Sequence, residues 1–253
     1  MAVISKPIPI PRRWKAGANH ILNAIPRKEY ELLLPFLRPV PLANRQVLYQ
    51  YGEEILDCYF ISSALISCMQ VMQNGDSIEV GLFGAEGFAG HSALLHIDHS
   101  SMLVNVQVPG EAFKIDAAVL RQLLPQLPVL EKLLFRFAYL QALQAQQIAA
   151  CNGLHEIEQR LARWILMTQD RIRTDALPLT HDLLAGMLGS RRASVTVAAG
   201  ALQKAGIIEY RRGKIHILQR EKLEQTACEC YGTVRSQLEA FVESVEIARP
   251  FLY

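Results

Sequence analysis

Cysteine is scarce. Cys58, Cys68, Cys151, Cys228 and Cys230 are odd in number and thinly spread over 253 residues, too sparse for a disulfide framework and suited to a reducing compartment. No apolar run approaches the roughly 20 residues that span a bilayer. The N-terminus, with Pro7, Pro9, Pro11 and Arg12-Arg13, lacks the apolar centre of a signal peptide. A cytoplasmic protein with no membrane partner is expected. A Walker-type phosphate loop, a Gly-x-Ser-x-Gly elbow and a His-x-His metal motif are missing as well, so no enzyme is expected. Net charge is nearly absent, at +2, and the overall balance alone does not suggest a nucleic-acid partner. The distribution of charge does. From Glu31 to Glu131 four cations (Arg38, Arg45, Lys114, Arg121) stand among eleven acids, whereas from Arg191 to Arg220 seven cations meet a single acid, Glu209.

The most informative stretch runs from Pro178 to Leu218. Thr180 is an N-cap type, Asp182 puts an acid in the first turn and Gly189 suits a left-handed stop, so Thr180 to Leu188 reads as a short helix. Past the Gly189-Ser190 corner, Val195, Ala198, Ala199 and Leu202 recur at helical spacing. With Ala185 at the close approach and Val195 filling the angle, the pattern is a helix-turn-helix. Ile207 to Tyr210 and Lys214 to Leu218, around Arg211-Arg212-Gly213, make a hairpin with a cationic tip, a wing.

If Val195, Ala198, Ala199 and Leu202 face inward, then Arg192, Ala193, Thr196, Val197 and Gly200 face outward. Arg191, Arg192 and Ser194 crowd the helix N-terminus, where free N–H groups and the dipole favour phosphate. The expected partner is double-stranded DNA. The expected contacts are Thr180, Ser190, Arg191, Arg192, Ala193, Ser194, Thr196, Val197, Arg211, Arg212 and Lys214.

A hydrophobic share of 51% supports more than one core, and about two domains suit the length. Residues 1–19 read as a flexible basic arm and residues 20–126 as an antiparallel β-roll, with short runs such as Leu65 to Met72 and Ser77 to Phe83 between glycine breaks. Residues 127–152 carry a long helix. Its surplus apolar edge is expected to pair with a second copy through Leu130, Leu134, Phe137, Gln141, Gln144 and Ile148. Residues 153–253 form the winged helix-turn-helix with a helical tail, Arg220 to Ala248, expected to pack on the DNA-binding domain. The fold class is α+β.

Together these segments resemble the Crp/Fnr family of bacterial transcription regulators from about Leu22 to Tyr231. The motifs that carry the resemblance include Val47-Leu48-Tyr49 before Gly52-Glu53, Val106-Gln107-Val108-Pro109-Gly110, Ala149-Ala150-Cys151-Asn152 before His155, Arg160-Leu161-Ala162-Arg163-Trp164, and Leu179-Thr180-His181 through Val195. The resemblance implies a homodimer, a two-fold symmetric operator and RNA polymerase as a partner.

The family's nucleotide-binding members use a Gly-Glu pair and an Arg-Ser pair. Here those places hold Gly90-His91 and Ser100-Ser101, and no Lys or Arg lies between Arg45 and Lys114. A buried phosphate would have no pairing cation, so cyclic AMP is not expected to bind. The family's iron–sulfur members carry an N-terminal cysteine cluster, but here the first cysteine is Cys58. No cofactor is expected, and His91, His96 and His99 read as solvated loop residues. Cys228 and Cys230, taken as neighbours-but-one on a helix, point about 200° apart, so no metal is expected there. The effector remains open. The competing reading is a ligand-sensing or metal-dependent enzyme-like β-roll whose helix-turn-helix serves protein contacts.

Overall fold

The computed structural model describes residues 19–211 and 213–247. The expected basic arm, apart from Asn19, therefore lies outside the described residues, as do Arg212 and residues 248–253. Helices α1 (His20–Ala24) and α2 (Arg27–Leu33) lead into strands β1 (Arg38–Leu42), β2 (Val47–Tyr49), β3 (Asp57–Ile61), β4 (Leu65–Val71), β5 (Ser77–Phe83), β6 (Phe88–Ala89), β7 (Leu103–Val108) and β8 (Gly110–Asp116). These build two antiparallel sheets, ordered β1-β8-β3-β6 and β2-β7-β4-β5. The roll read from the alternating runs is present. Strand β1 is not announced by the sequence, because Pro39 and Pro41 remove ladder donors. It is an edge strand paired with β8 alone, where one row of N–H groups has no partner in any case.

After α3 (Ala117–Leu123) comes the 27-residue α4 (Pro128–Leu154). Its own flanking residue, Leu127, offers no side-chain cap. Glu29 of α2 supplies one from across the chain: its buried carboxylate accepts from the backbone N–H groups of Val129 at 3.0 Å and Leu130 at 2.9 Å. A carboxylate on first-turn donors also suits the helix dipole. The chain continues through α5 (Ile157–Ile172), β9 (Ala176–Leu177), α6 (His181–Leu188), α7 (Arg192–Lys204), β10 (Ile208–Arg211), β11 (Lys214–Ile217), α8 (Arg220–Thr226) and α9 (Cys230–Ile247).

The tail differs from expectation in two ways. It is not one helix, because Ala227 turns extended at φ −66°, ψ 150° and separates α8 from α9. Nor does α9 pack mainly on the winged domain, since it runs along α4, with lesser contacts to α5 and α1.

This placement of α9 changes the reading of α4. Leu130, Leu134, Phe137, Gln144 and Ile148, expected at a dimer interface, are all interior to the single chain, at 0–3% exposure. The reason is that α9 and β5 already cover that face. Phe137 meets Phe83 edge-on at 5.4 Å between ring centroids and Phe241 at 6.1 Å. Gln144 donates to the Leu82 carbonyl at 3.2 Å, and Gln141 is half-buried beside Gly81 of β5. The exposed face of α4 instead carries Lys132, Phe135, Tyr139, Ala142, Gln146, Ala149 and Gly153, alternating steps of three and four, the spacing of a coiled-coil seam.

The β-roll and the winged domain share a core in which Leu65, Met69 and Leu82 pack with Trp164 and Leu161 of α5. Two buried polar links cross the same boundary. In the first, Trp164 Nε1 of α5 donates to Glu79 Oε1 at 2.7 Å, while Ser67 Oγ, within the roll, donates to Glu79 Oε2 at 2.6 Å. Burial pushes the Glu79 carboxyl up to about 7, against the pull of those two donors. Arg171 Nε donates to Glu86 Oε1 at 2.7 Å with both side chains at most 5% exposed, and Arg171 also donates to the Met167 carbonyl at 3.0 Å.

Candidate nucleic-acid interface

Thr180 caps α6, its Oγ1 accepting from the Leu183 N–H at 3.2 Å. The helix ends at Gly189, which is left-handed at φ +53° and packs so tightly that a Cβ there would meet Ile78 Cδ1 at 2.4 Å. Glycine suits the left-handed conformation here, and any Cβ would also have to displace the Ile78 side chain. On α7 the inward set is the expected one: Val195, Ala198, Ala199 and Leu202 are all buried. Arg191, Arg192, Ala193, Thr196, Val197 and Gly200 are exposed, Val197 at 73%. Ser190 and Ser194 are half-buried.

Local contacts fix the two helices and the wing to each other. Thr196 Oγ1 donates to the Arg192 carbonyl at 2.9 Å and lies 3.0 Å from His181 Nδ1. The His181 ring stacks against Tyr210 of β10 at 4.4 Å. Arg160 of α5 donates to the Leu188 carbonyl at the end of α6. Arg192 forms an ion pair with Asp182 at 3.2 Å, but both side chains are about two-thirds exposed. Such a pair is worth little in water and leaves the guanidinium able to exchange partners.

In the wing, β10 pairs with β11 from Ile208↔Ile217 to Arg211↔Lys214. Strand β9 adds a third strand through Leu177↔Ile215. Arg211 and Lys214 are exposed at the tip, whereas Arg212, also expected there, is outside the described residues. The Thr180 oxygen accepts its cap bond from Leu183, a role that leaves the hydroxyl proton as a donor. One cation of the Arg191 to Arg220 run is committed elsewhere. Arg220 is held by Asp170 at 2.6 Å, Glu224 at 2.9 Å, Gln169 at 2.6 Å and the Tyr231 hydroxyl at 2.7 Å.

A concavity lies inside the roll, lined among others by Tyr49, Phe83, Gly90, His91, Ser100 and Ser101, with no Lys or Arg in its wall among the described residues. Gly90 is left-handed at φ +102°, and a Cβ there would come within 2.7 Å of Cys58 Sγ. The Ser100 hydroxyl is taken by the Met102 carbonyl at 2.7 Å, and burial lowers the His91 pKa. His96 and His99 are exposed. The structure assembles one group that the sequence reading did not: Cys151, His155, Cys228 and Cys230 converge at one point. The helical-wheel argument against Cys228 and Cys230 fails because Cys228 precedes α9 and only Cys230 lies on it.

An antiparallel roll, a long connecting helix and a winged helix-turn-helix with its cationic helix end exposed define the class: a two-domain transcriptional regulator. A model of the cyclic nucleotide-binding domain matches residues 39–126, and a model of the Crp-like helix-turn-helix domain matches residues 159–226. With both on one chain in this order, the protein belongs to the Crp/Fnr family of transcriptional regulators.

Among curated proteins, the anaerobic regulatory protein of Aggregatibacter actinomycetemcomitans is 22% identical over 213 residues, covering 81% of this chain and 80% of that one. Among solved structures, the c-di-GMP-responsive global regulator CLP of Xanthomonas campestris superposes with a TM-score of 0.65 at 17% identity, covering 75% of this chain and 98% of that one. A CRP/FNR-family transcriptional regulator of Thermus thermophilus superposes with a TM-score of 0.60 at 20% identity, covering 75% and 98%. At these identities the structural likeness speaks for the fold alone.

Proposed function

We propose that the protein is a homodimeric, sequence-specific DNA-binding regulator that reads a two-fold symmetric operator with α7 and grips the adjacent backbone with its wing. The observation that carries this reading is the division of α7: four residues buried, and the Arg191 to Val197 face free at the end where helix N–H groups favour a phosphate. Arg192 has the fork geometry to address guanine O6 and N7. Ala193 and Val197 offer only apolar contact, suited to a thymine methyl group. RNA polymerase as a further partner follows from the family alone.

The test is fluorescence anisotropy on selected operator DNA and on random duplex, each at several salt concentrations. Arg192→Ala is expected to lose about 1–3 kcal/mol on the operator and much less on random DNA, removing the preference at one G·C pair. Lys214→Ala in the wing is expected to weaken both duplexes alike and to lower the salt slope by about one. Equal losses on both duplexes for Arg192→Ala sink the assignment.

We further propose that the second copy is bound through the exposed seam of α4 and not through the buried band, and that the domains divide as the roll over 20–126, the long helix over 127–152 and the winged domain with its tail beyond. The roll is proposed not to take cyclic AMP, because among the described residues its wall offers no cation to the phosphate. Titration calorimetry with cyclic AMP is expected to give no binding heat, and micromolar binding would refute the point.

A further inference from the structure

The most unusual feature outside the DNA-reading surface is a cluster of soft ligands where α4, α5, α8 and α9 meet. Cys151 lies in the last turn of α4, and His155 caps that helix four residues on, its N–H bonded to the Cys151 carbonyl at 3.1 Å. An i, i+4 pair projects from one side of a helix. Cys228 and Cys230 come from the α8–α9 joint, far along the chain, and meet the first pair face to face. Cys151 Sγ lies 3.4 Å from Cys228 Sγ, and Cys230 Sγ lies 3.5 Å from His155 Nδ1. The four ligand atoms are all within 4.8 Å of one another.

Ordinary apolar packing does not account for this. The three cysteines are at most 4% exposed, yet they form a patch of their own, separate from both hydrophobic cores. At 3.4 Å the Cys151 and Cys228 sulfurs are well beyond disulfide length, about 2.05 Å. They match instead the edge of a tetrahedron around one ion: a Zn–S bond of about 2.3 Å implies sulfurs roughly 3.8 Å apart. An iron–sulfur cluster carries its ligating sulfurs farther apart than a single ion does.

The surroundings are also those of a metal site. His155 turns Nδ1 towards the sulfurs while its Nε2 lies 3.2 Å from Glu229 Oε2. A carboxylate on the distal nitrogen fixes the tautomer that leaves the other nitrogen free to bind. Gln147 Nε2 donates to Cys230 Sγ at 3.0 Å. Arg163, 2% exposed and in no ion pair among the described residues, adds positive charge near both Cys151 and Glu79. Three thiolates and a neutral imidazole around a divalent ion leave one net negative charge, which a buried guanidinium offsets.

We propose that Cys151, His155, Cys228 and Cys230 form a closed tetrahedral site for a thiophilic divalent cation, zinc above all, that staples the end of the long helix to the joint after the wing. Three thiols and one imidazole with no carboxylate or open position suit zinc over magnesium, calcium or manganese. The site sits at the hinge where the roll-bearing half hands over to the winged half, so its ion holds α9 on α4 and orients α5. It departs from the expectation that the chain holds no metal, and it stands independently of which DNA is read.

The test uses the full chain purified without a tag. Elemental analysis is expected to find one zinc per chain. The chelated protein is expected to take up one cobalt ion, with a sulfur-to-metal charge-transfer band and the intense visible bands of tetrahedral coordination, which zinc then abolishes. Glu229→Gln, on an exposed side chain, is expected to weaken zinc binding about 10- to 100-fold with the fold retained. His155→Gln is expected to weaken it further and to alter the cobalt spectrum. A chain that binds neither ion, a cobalt spectrum of octahedral type, or a Cys151–Cys228 disulfide in protein prepared under reducing conditions overturns the proposal.

Discussion

Arg171→Met is expected to destabilise the protein by about 3–5 kcal/mol. Arg171 and Glu86 pair at 2.7 Å in a setting almost closed to water, one from α5 and the other from the β-roll. Removing the guanidinium strands the Glu86 carboxylate, which among the described residues keeps only the Gly84 N–H at 3.0 Å. The cost is that of an uncompensated buried charge and not the worth of the pair itself. The double variant Glu86→Leu/Arg171→Met, which removes both charges at similar volume, is therefore expected to recover most of the loss. Urea unfolding followed by Trp fluorescence reports this directly, since Trp164 sits at the same boundary. If the single variant loses less than about 1 kcal/mol, the ion pair is not desolvated and the buried join between the halves is wrongly described.

The second large effect concerns assembly. Ala142→Glu puts a charge in the middle of the exposed seam of α4, where in the proposed dimer it would face its own copy across a two-fold axis. The variant is expected to be monomeric by analytical ultracentrifugation with its thermal unfolding little changed. Operator affinity is expected to fall by about 10²- to 10⁴-fold, because the second half-site no longer binds as part of one molecule. Leu130→Ala provides the contrast. It lies in the Leu-rich band that is fully buried within one chain, so it is expected to cost about 2–5 kcal/mol of stability with assembly unaffected. A dimeric Ala142→Glu variant would return the interface to some other surface.

The difference between those two faces shows where sequence reading stops. The apolar band of α4, Leu130 to Ile148, is plain in the periodicity, but periodicity says only that a face is covered, not what covers it. Here the cover is α9, whose Phe241 meets Phe137. The seam of Phe135, Tyr139, Ala142 and Ala149 was also present in the sequence as alternating steps of three and four, overshadowed by the stronger Leu-rich stripe. The metal-type cluster had a weaker signal still. Cys228 and Cys230 stand out by their spacing, but nothing local joins them to Cys151 and His155, and the break at Ala227 that frees Cys228 from the helix is set by the path of α9.

What the chain's order alone determined was the helix-turn-helix, the wing, the strand-rich roll and the inward set of α7. Each is written in a window of about ten residues, where caps, glycine conformations and the period of apolar side chains act locally. Only the tertiary structure decided which face of α4 is free, which cations remain available to DNA, and which thiols meet. Those outcomes depend on contacts between segments far apart in sequence, whose pairing is chosen by the burial of shared surface and by the pairing of charges taken out of water.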